Sequence, residues 1–265
     1  IAHIHGGEIT EAALDDAWRH AITKLSHIHF VAAPKYGDRV MQLGEAPERI
    51  FVTGAPGLDN IYKLDFPDLE ALRYALNFPL TEGFFLITYH PVTLDKKPPE
   101  DSVQNLIDGL NNFPDRHCII TGVNADPGHD AVSYQLVKFA EANKERVLLR
   151  QSMGQRNYLG AMRHCAAVIG NSSSGIIEAP AMKVPSVNIG DRQKGRLRAA
   201  SVIDCAEDRS EIIASINIHP ATPFIIFASE NDNNIYVPDD IEKKFQKSNL
   251  VKYCFYWINL FPRRQ

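Results

Sequence analysis

The sequence has no excess of positive charge and contains few cysteines. Its 28 Lys and Arg residues face 32 Asp and Glu residues, which gives a net charge of −4. This balance does not favour binding to nucleic acid or to an anionic membrane. The 4 cysteines lie far apart and form no C-x-x-C pair, so reduced, mostly buried thiols are favoured over a disulfide framework or a zinc site. We therefore expect a cytoplasmic protein.

The sequence also lacks a long apolar run, a secretory signal and a repeat of fixed period. Its longest late apolar stretch, residues 250–261, is interrupted by Lys252 and Asn259 and is too short to span a bilayer. The chain does not open with a charged segment followed by an apolar one, as a signal peptide does. It opens with Ile1 in what reads as the end of a strand, and we expect an amino-terminal truncation.

What is present is an alternation of short apolar runs with helical patterns. The chain has 265 residues, 45% of them hydrophobic and 23% charged, which is typical of one large or two ordinary globular domains. Strands that alternate with helices predict an α/β fold with parallel sheets and right-handed crossovers. The predicted strands are 1–4, 29–33, 50–53, 84–89, 117–121, 147–149, 167–169 and 185–189. The predicted helices are 12–25, 36–43, 69–76, 101–111, 131–142 and 155–164.

Residues 65–68, Asp-Phe-Pro-Asp, interrupt this alternation and predict a domain boundary. We predict a first domain over residues 1–64 and a second over residues 65–217. The pattern changes near residue 218, and the tail 218–265 stays unassigned. Within it, residues 225–228 read as a strand and residues 240–247 as a charged helix.

Residues 170–180, with the sequence GNSSSGIIEAP, follow the apolar run 166–169. The pattern predicts a buried strand, a turn of small residues and a helix N-terminus beginning near Ile176. Such a turn presents backbone N–H groups and the positive end of a helix dipole, which suits a phosphate or a diphosphate. The alternative is an ordinary helix cap, because Ser is a favoured capping residue.

The remaining polar turns decide between these two interpretations. In parallel α/β sheets, ligands bind beyond the carboxyl ends of the strands. Several polar turns are predicted to share that edge, namely His5-Gly6-Gly7-Glu8, His90-Pro91, Asn124, Ser172 to Gly175 and Gly190-Asp191-Arg192. Their shared placement favours the phosphate site.

A series of motifs in this order resembles the hydrolysing UDP-N-acetylglucosamine 2-epimerases, and the resemblance runs from residue 1 to about residue 216. The motifs are His3 to Glu8, Asp15-Asp16, Arg19 to His27, Gln42 to Glu45, Tyr89-His90-Pro91, Gly170 to Glu178 and Gly190 to Arg196. The pattern is most similar to bacterial enzymes that feed sialic acid and related nonulosonic acid synthesis. It implies a GT-B fold, in which two Rossmann-like domains face a cleft. It also implies roughly another hundred residues ahead of Ile1, so the first domain is expected to be incomplete.

The resemblance also implies a reaction. UDP is eliminated from the sugar to give a 2-acetamidoglucal, and water then adds to give free N-acetylmannosamine, inverted at C2. A diacetamido-trideoxy sugar could replace N-acetylglucosamine. This chemistry needs a base near C2, an acid near the leaving oxygen and tight binding of the diphosphate. It implies a UDP-sugar partner, no cofactor, no metal, and a homo-oligomer that is a dimer or a tetramer.

The resemblance assigns the UDP side of the site to polar residues of the second domain. The serine turn is placed at the diphosphate, Glu178 at the ribose hydroxyls, and His90 and Arg192 at the nucleotide, with Asn124 a weaker match. The turn consists of Ser172, Ser173, Ser174 and Gly175. Taken alone, Glu178 is a first-turn acid that suits a helix dipole, and Arg192 is an ordinary loop arginine.

The resemblance places proton transfer in the first domain. Asp15 matches a catalytic carboxylate by its place before Arg19, and His5 stands where some relatives carry a catalytic Glu. Glu8 could supply the carboxylate instead, and Asp16 and Arg19 complete the candidate set. Taken alone, Asp15 and Asp16 are a capping device in a first helical turn.

Three other functions remain open at this stage. The H-x-H pairs His3/His5 and His27/His29 could belong to a metal-dependent hydrolase, if further ligands converge on them. A GT-B glycosyltransferase would bind a sugar nucleotide through similar motifs. A catalytically impaired UDP-sugar-binding fragment is the non-enzymatic alternative.

Overall fold

The structure, a computed structural model, describes residues 1–94 and 97–221. The strand and the charged helix predicted after residue 221 therefore lie outside the described residues. The described chain forms two parallel sheets, one of 3 strands and one of 6. No helix within these residues is long and apolar enough to cross a membrane.

The first sheet has the strand order β1-β2-β3, and both strand pairs are parallel. Its strands are β1 (Ala2–Ile4), β2 (Ile28–Val31) and β3 (Ile50–Val52). The helices that accompany it are α1 (Asp15–Leu25), α2 (Pro34–Gln42) and α3 (Asp59–Lys63). Helix α1 begins at Asp15, whereas the sequence pattern predicts a start near residue 12. Residues 11–14 instead form turns that are hydrogen-bonded to the loops after β4 and β8.

The second sheet has the strand order β6-β5-β4-β7-β8-β9, and every neighbouring pair is parallel. Its strands are β4 (Phe85–Thr88), β5 (Cys118–Thr121), β6 (Val147–Arg150), β7 (Ala167–Gly170), β8 (Ser186–Ile189) and β9 (Val202–Cys205). The helices are α4 (Leu69–Leu76), α5 (Pro99–Leu110), α6 (His129–Ala142), α7 (Gly154–His164), α8 (Glu178–Ala181) and α9 (Arg209–Ala221). The direction of the strand order reverses between β4 and β7, which is where doubly wound sheets bind ligands.

Each face of the second sheet is covered by a buried apolar cluster. Gly170 at the end of β7 has a φ of 134°, and an added Cβ atom would lie 2.0 Å from the Thr88 carbonyl oxygen. Only glycine therefore permits β7 to lie this close to β4 at the reversal of strand order.

A third apolar cluster joins the two sheets. It combines Val31 of β2, Tyr36 of α2 and Leu58, which precedes α3, with Ile176 and Ile177, which follow the serine turn. Ile176 is fully buried there. This shared core places the serine turn against the first sheet.

Candidate functional site

The reversal of strand order holds two polar turns together through Asn171. Its side-chain Oδ1 accepts a hydrogen bond from the His90 N–H at 2.8 Å, and its Nδ2 donates to the His90 carbonyl at 2.7 Å. Asn171 is fully buried. It belongs to the serine motif, but sequence reasoning did not select it as a site residue. The feature of the sequence that could have indicated Asn171 is its position as an amide residue directly after a buried strand.

His90 is buried and has a defined tautomer. Its Nδ1 accepts a hydrogen bond from the Asn124 backbone N–H at 3.1 Å, so the neutral ring carries its proton on Nε2. Burial, assisted by the charge of Arg192, lowers the pKa of His90 to about 4. Near neutral pH the ring is therefore an uncharged N–H donor. Asn124 contributes its backbone to this arrangement, and the residue itself is exposed.

Arg192 lies beside the same turn. Its Nη1 donates to the Asn171 carbonyl at 3.1 Å, and its Nη2 lies 4.0 Å from an oxygen of Asp126. The neighbouring Gln193 donates its Nε2 to the same Asn171 carbonyl at 2.9 Å. Burial lowers the pKa of Arg192, while the negative charges of Asp126 and Asp15 raise it. A buried guanidinium remains a cation, so the site keeps a positive charge here.

The serine turn differs from the prediction in one respect. Residues Ser173–Gly175 form a 3-10 turn, and α8 contains only the four residues Glu178–Ala181. The helix ends at Ala181, and Lys183 two residues later adopts a left-handed φ of 60°. The predicted helix dipole is thus short, and an anion would depend on the backbone N–H groups and hydroxyls of the turn.

The three hydroxyls of this turn are not equivalent. The Ser174 hydroxyl is buried, lies 2.6 Å from the Tyr158 hydroxyl and donates to the Ser172 hydroxyl at 3.1 Å. Ser172 and Ser173 are partly exposed. Gly175 lies against Ser186, whose hydroxyl would be 2.6 Å from an added Cβ atom. Ser174 and Gly175 therefore shape the turn, and Ser172 and Ser173 present its surface.

Glu178 has a carboxylate oxygen that no described residue satisfies. Its Oε2 is buried and has no hydrogen-bond partner among the described residues. Burial raises the pKa of this carboxyl, although its own backbone and the charges of His5 and Arg196 act in the opposite direction. A buried carboxylate of this kind is costly unless a ligand supplies donors to it.

The turn after β1 contains a close pair of His5 and Glu8. His5 Nδ1 lies 2.6 Å from Glu8 Oε1, and the Glu8 side chain is 1% exposed. Burial alone would raise the pKa of Glu8, but the hydrogen bond from His5 and the charge of Arg196 outweigh burial and lower it. The ionised carboxylate can only accept, so Nδ1 of His5 carries a proton and Nε2 is left free as a base in the neutral ring. His5 has a φ of 65°, an uncommon conformation that is retained most often at functional sites.

The other candidates of the first domain are divided between supporting and exposed positions. Asp16 Oδ1 accepts from the Thr10 N–H at 2.7 Å and lies 3.6 Å from Arg19 Nη1. Arg19 Nη1 in turn donates to the Glu8 carbonyl at 3.2 Å. Asp16 and Arg19, both on α1, therefore bond to the backbone of the turn after β1 and hold it in place. Asp15 is exposed, and its charge raises the pKa of Arg192 across the cleft.

The histidines considered for a metal have other partners. His3 Nδ1 lies 3.0 Å from the Thr23 hydroxyl, and His29 Nε2 lies 3.2 Å from Glu45 Oε2. Across residues 1–94 and 97–221, no group of three or more His, Cys, Asp or Glu side chains is placed to hold a metal ion.

One contact joins the two halves of the site. Arg196 Nη2, from the loop after β8, lies 2.8 Å from Glu8 Oε2, as an ion pair without hydrogen-bond geometry. The strand ends of two parallel α/β sheets therefore meet in a single polar cleft. The arrangement defines a two-domain protein with Rossmann-like sheets and a site suited to an anionic ligand.

Comparison with known proteins gives the family. The UDP-N-acetylglucosamine 2-epimerase profile matches residues 1–247, and the chain belongs to this family. It is similar to the polysialic acid biosynthesis protein P7 of Escherichia coli, with 38% identity over 234 residues, which are 88% of this chain and 59% of that protein. It is also similar to the GDP/UDP-N,N'-diacetylbacillosamine 2-epimerase (hydrolyzing) of Campylobacter jejuni, with 40% identity over 204 residues, 77% of this chain and 53% of that protein. The chain thus spans less than two thirds of either relative.

A solved structure supports the fold. The UDP-GlcNAc 2-epimerase of Neisseria meningitidis, crystallised with UDP-GlcNAc, superposes with a TM-score of 0.73 at 14% identity and covers 96% of this chain and 69% of that one. The predicted α/β fold of GT-B type is confirmed.

Proposed function

We propose that this chain carries the UDP-binding and proton-transfer residues of a hydrolysing UDP-N-acetylglucosamine 2-epimerase. The substrate is UDP-N-acetylglucosamine or a UDP-diacetamido-trideoxy sugar, and the products are UDP and the free sugar inverted at C2. Support comes from the family and from the Campylobacter relative, whose name describes a hydrolysing 2-epimerase. The observation that carries the proposal is the Glu8–Arg196 contact at 2.8 Å, since it joins the His5–Glu8 pair to the cleft of the serine turn.

On the UDP side, each residue is assigned a role from the hydrogen-bonding groups and the charge of its side chain. The neutral Nε2–H of His90 donates to a phosphate oxygen, and the cationic Arg192 offsets the charge that develops on the departing UDP. The unpartnered Oε2 of Glu178 accepts from the ribose hydroxyls. The turn of Ser172, Ser173, Ser174 and Gly175 holds the diphosphate through N–H groups and hydroxyls, and Asn124 orients His90.

On the sugar side, two proton-transfer groups are needed. In the elimination a base removes the C2 proton while the C1–O bond to UDP breaks and a C1=C2 double bond forms. In the hydration water adds its oxygen to C1, and a proton is delivered to the opposite face of C2. We assign these transfers to the free Nε2 of His5, oriented by Glu8, and to Asp15. Asp16 and Arg19 keep the turn in place.

Further features of the complete protein are also proposals. The boundary between residues 64 and 65, with the first domain incomplete, is supported by the division into two sheets. The second domain is proposed to extend to residue 217, although α9 (Arg209–Ala221) continues past that residue. A cytoplasmic protein is supported by the free thiols of Cys118, Cys165 and Cys205. The reaction as written needs no metal and no cofactor.

A homo-oligomer, either a dimer or a tetramer, is supported by helix α1. The N-cap residue Leu14 and the helix residues Trp18, Ile22 and Leu25 are exposed and apolar. They lie on one side of the helix, since they recur at spacings of four, four and three. Light scattering of the unchanged chain and of Trp18→Ser tests this proposal. A monomeric unchanged chain would contradict it.

The central experiment is turnover of the two candidate UDP-sugars in deuterated water without an acceptor, followed by NMR. We expect UDP and a free C2-inverted sugar that carries deuterium at C2, because the proton returned to C2 comes from solvent. A glycosyltransferase would leave the sugar uninverted, and a binding fragment would bind UDP without turnover. Unchanged activity after exhaustive chelation distinguishes the epimerase from a metal-dependent hydrolase.

A further inference from the structure

Arg196 occupies an unusual position for an arginine of a surface loop. It follows β8 in the second sheet, yet its guanidinium reaches the turn after β1 and pairs with Glu8 at 2.8 Å. Glu8 uses its other oxygen for His5, at 2.6 Å. The Arg196 side chain is 10% exposed and that of Glu8 1%. One buried carboxylate is thus shared between a histidine of the first sheet and an arginine of the second.

The loop that carries Arg196 lies directly on the first sheet's turn. The Glu11 N–H donates to the Lys194 carbonyl at 3.1 Å. Gly195 has a φ of 91°, and an added Cβ atom would lie 2.4 Å from Ile9 Cγ2. Both contacts position the backbone next to Arg196. Its side chain therefore enters the cleft at a fixed point.

Stability alone does not explain this arginine. Its Nε and Nη1 are buried and have no partner in the described part of the chain. A buried ion pair stabilises a fold only when its remaining donors are satisfied, and apolar residues of similar volume are often at least as stable. An arginine is therefore not the residue expected at this position if its role were only to hold the two domains together. Its pairing with Glu8 indicates a further role.

We propose that Arg196 is a positioning residue for proton transfer, since it holds Glu8 in place so that Glu8 orients His5 with Nε2 free. The inference rests on the proposed function and deepens it. The guanidinium occupies Oε2 of Glu8 and leaves Oε1 for the Nδ1–H of His5. Because the arginine comes from the second sheet, this arrangement is complete only when the UDP-binding loops lie against the first sheet's turn.

Other charges around Glu8 set the size of the expected effect. His5 lies on the same turn, Arg19 approaches from α1 with Nη1 on the Glu8 carbonyl, and Arg196 comes from the loop after β8. Glu178, across the cleft, is influenced by the charges of His5 and Arg196. Loss of Arg196 alone therefore removes one of several favourable contributions, and we expect the pKa of Glu8 to rise.

The test compares Arg196→Met with Lys194→Met. Methionine fills a similar volume without charge, and Lys194 belongs to the same loop, where its exposed Nζ lies 3.6 Å from Glu11 Oε2 across the two sheets. We expect Arg196→Met to lower kcat roughly 10-fold to 100-fold, a part of what a general base contributes. The KM for the UDP-sugar and the affinity for UDP should stay within about two-fold, and Lys194→Met should match the unchanged chain.

A second readout needs no turnover. NMR of the Glu8 carboxyl carbon and the His5 ring nitrogens should show the Glu8 midpoint raised in Arg196→Met and a mixture of His5 tautomers in place of one. Equal spectra in the unchanged chain and Arg196→Met would overturn the inference, whether or not the chain is active. A failed turnover experiment on the unchanged chain, with altered spectra in the variant, would instead count against the proposed function.

Arg196→Lys keeps the argument testable if Arg196→Met does not fold. A lysine retains the charge but not the planar guanidinium. In Arg196→Lys the titration midpoint of Glu8 should stay closer to that of the unchanged chain than in Arg196→Met, and kcat should fall less. A Lys variant that loses UDP binding in proportion to kcat would indicate that Arg196 only joins the domains, and the inference would fail.

Discussion

Asn171 and His90 are linked by two hydrogen bonds of 2.8 and 2.7 Å between the Asn171 side chain and the His90 backbone. This pairing joins the ends of β4 and β7 at the reversal of strand order. The Asn171 amide is fully buried, so both of its hydrogen bonds are shielded from water. The proposed UDP site is therefore built on a structural clamp, and the clamp can be tested separately from the ligand contacts.

We expect Asn171→Ala to destabilise the protein by about 1–3 kcal/mol, because it removes both bonds and leaves two buried backbone groups of His90 unpaired. UDP affinity should fall as well, since His90 loses its support. Urea unfolding and calorimetric titration with UDP measure the two effects. Asn112→Ala is the control, because that residue is exposed and its amide donates to the Asp108 carbonyl. Equal stability of Asn171→Ala and the unchanged chain would contradict the clamp.

Ser173→Ala should weaken UDP binding by about 1–3 kcal/mol, the value of a lost hydrogen bond to a charged group. The fold should be unaffected, because Ser173 is partly exposed. Titration with UDP gives the difference directly. Ser133→Ala, in the middle of α6, is the matched control. UDP affinity that is equal in all three proteins would rule out the assignment of this turn to the diphosphate.

Asp15→Asn should reduce turnover by about 10²-fold or more, the usual contribution of a proton-transfer group. UDP binding should be nearly unchanged, since the amide keeps the size of the side chain. Asp38→Asn, an exposed aspartate on α2, controls for the change of net charge. Retained turnover in Asp15→Asn would shift the second proton transfer to another residue.

Glu178→Gln should have opposite effects on binding and on stability. The amide removes a buried charge whose Oε2 has no partner in residues 1–94 and 97–221, so we expect the free energy of unfolding to rise by about 1 kcal/mol. UDP affinity should fall, while affinity for inorganic diphosphate, which has no ribose, should not. Glu48→Gln, at an exposed glutamate, is the control. A loss of affinity for both ligands would place Glu178 at the phosphates.

The pKa of His90 gives a prediction for acid stability. In the folded protein burial lowers this pKa from 6.5 to about 4, so between these values the unfolded chain binds a proton that the folded chain does not. The stability gained from neutral His90 is complete above pH 6.5 and is lost as the pH falls towards 4, by about 3 kcal/mol in all. His90→Gln should show a smaller loss of stability than the unchanged chain over this range, as measured by urea unfolding. If the free energy of unfolding falls by the same amount with pH in His90→Gln and in the unchanged chain, the lowered pKa of His90 would be contradicted.

The sequence was most informative where apolar runs end in polar residues. The runs before His90 and Asn171 predict strands β4 and β7, and their alternation with helices predicts the parallel sheets that are observed. The motif resemblance predicts the family, which is confirmed. The functional roles of the individual residues, the domain boundary and the oligomer remain predictions.

Other features depend on tertiary contacts that local sequence does not encode. Asp204 interrupts strand β9 (Val202–Cys205), and the two apolar residues before it form too short a run to predict a strand. The His5–Glu8 pair is formed with His5 at a left-handed φ of 65°. Histidine adopts this conformation more often than most residues, but the preference is too weak to predict it at a given position. The Glu8–Arg196 contact joins distant parts of the chain, and a single sequence gives no signal for such a pair.

The packing of Ile176 and Ile177 among first-sheet residues has a mechanical consequence. These isoleucines follow the serine turn directly, so the turn is fastened to both halves of the molecule at once. A rotation of one sheet relative to the other would have to break this apolar packing, together with the contacts of Gly195 and Arg196 with the turn after β1. The backbone that carries the serine hydroxyls is therefore held from both sides.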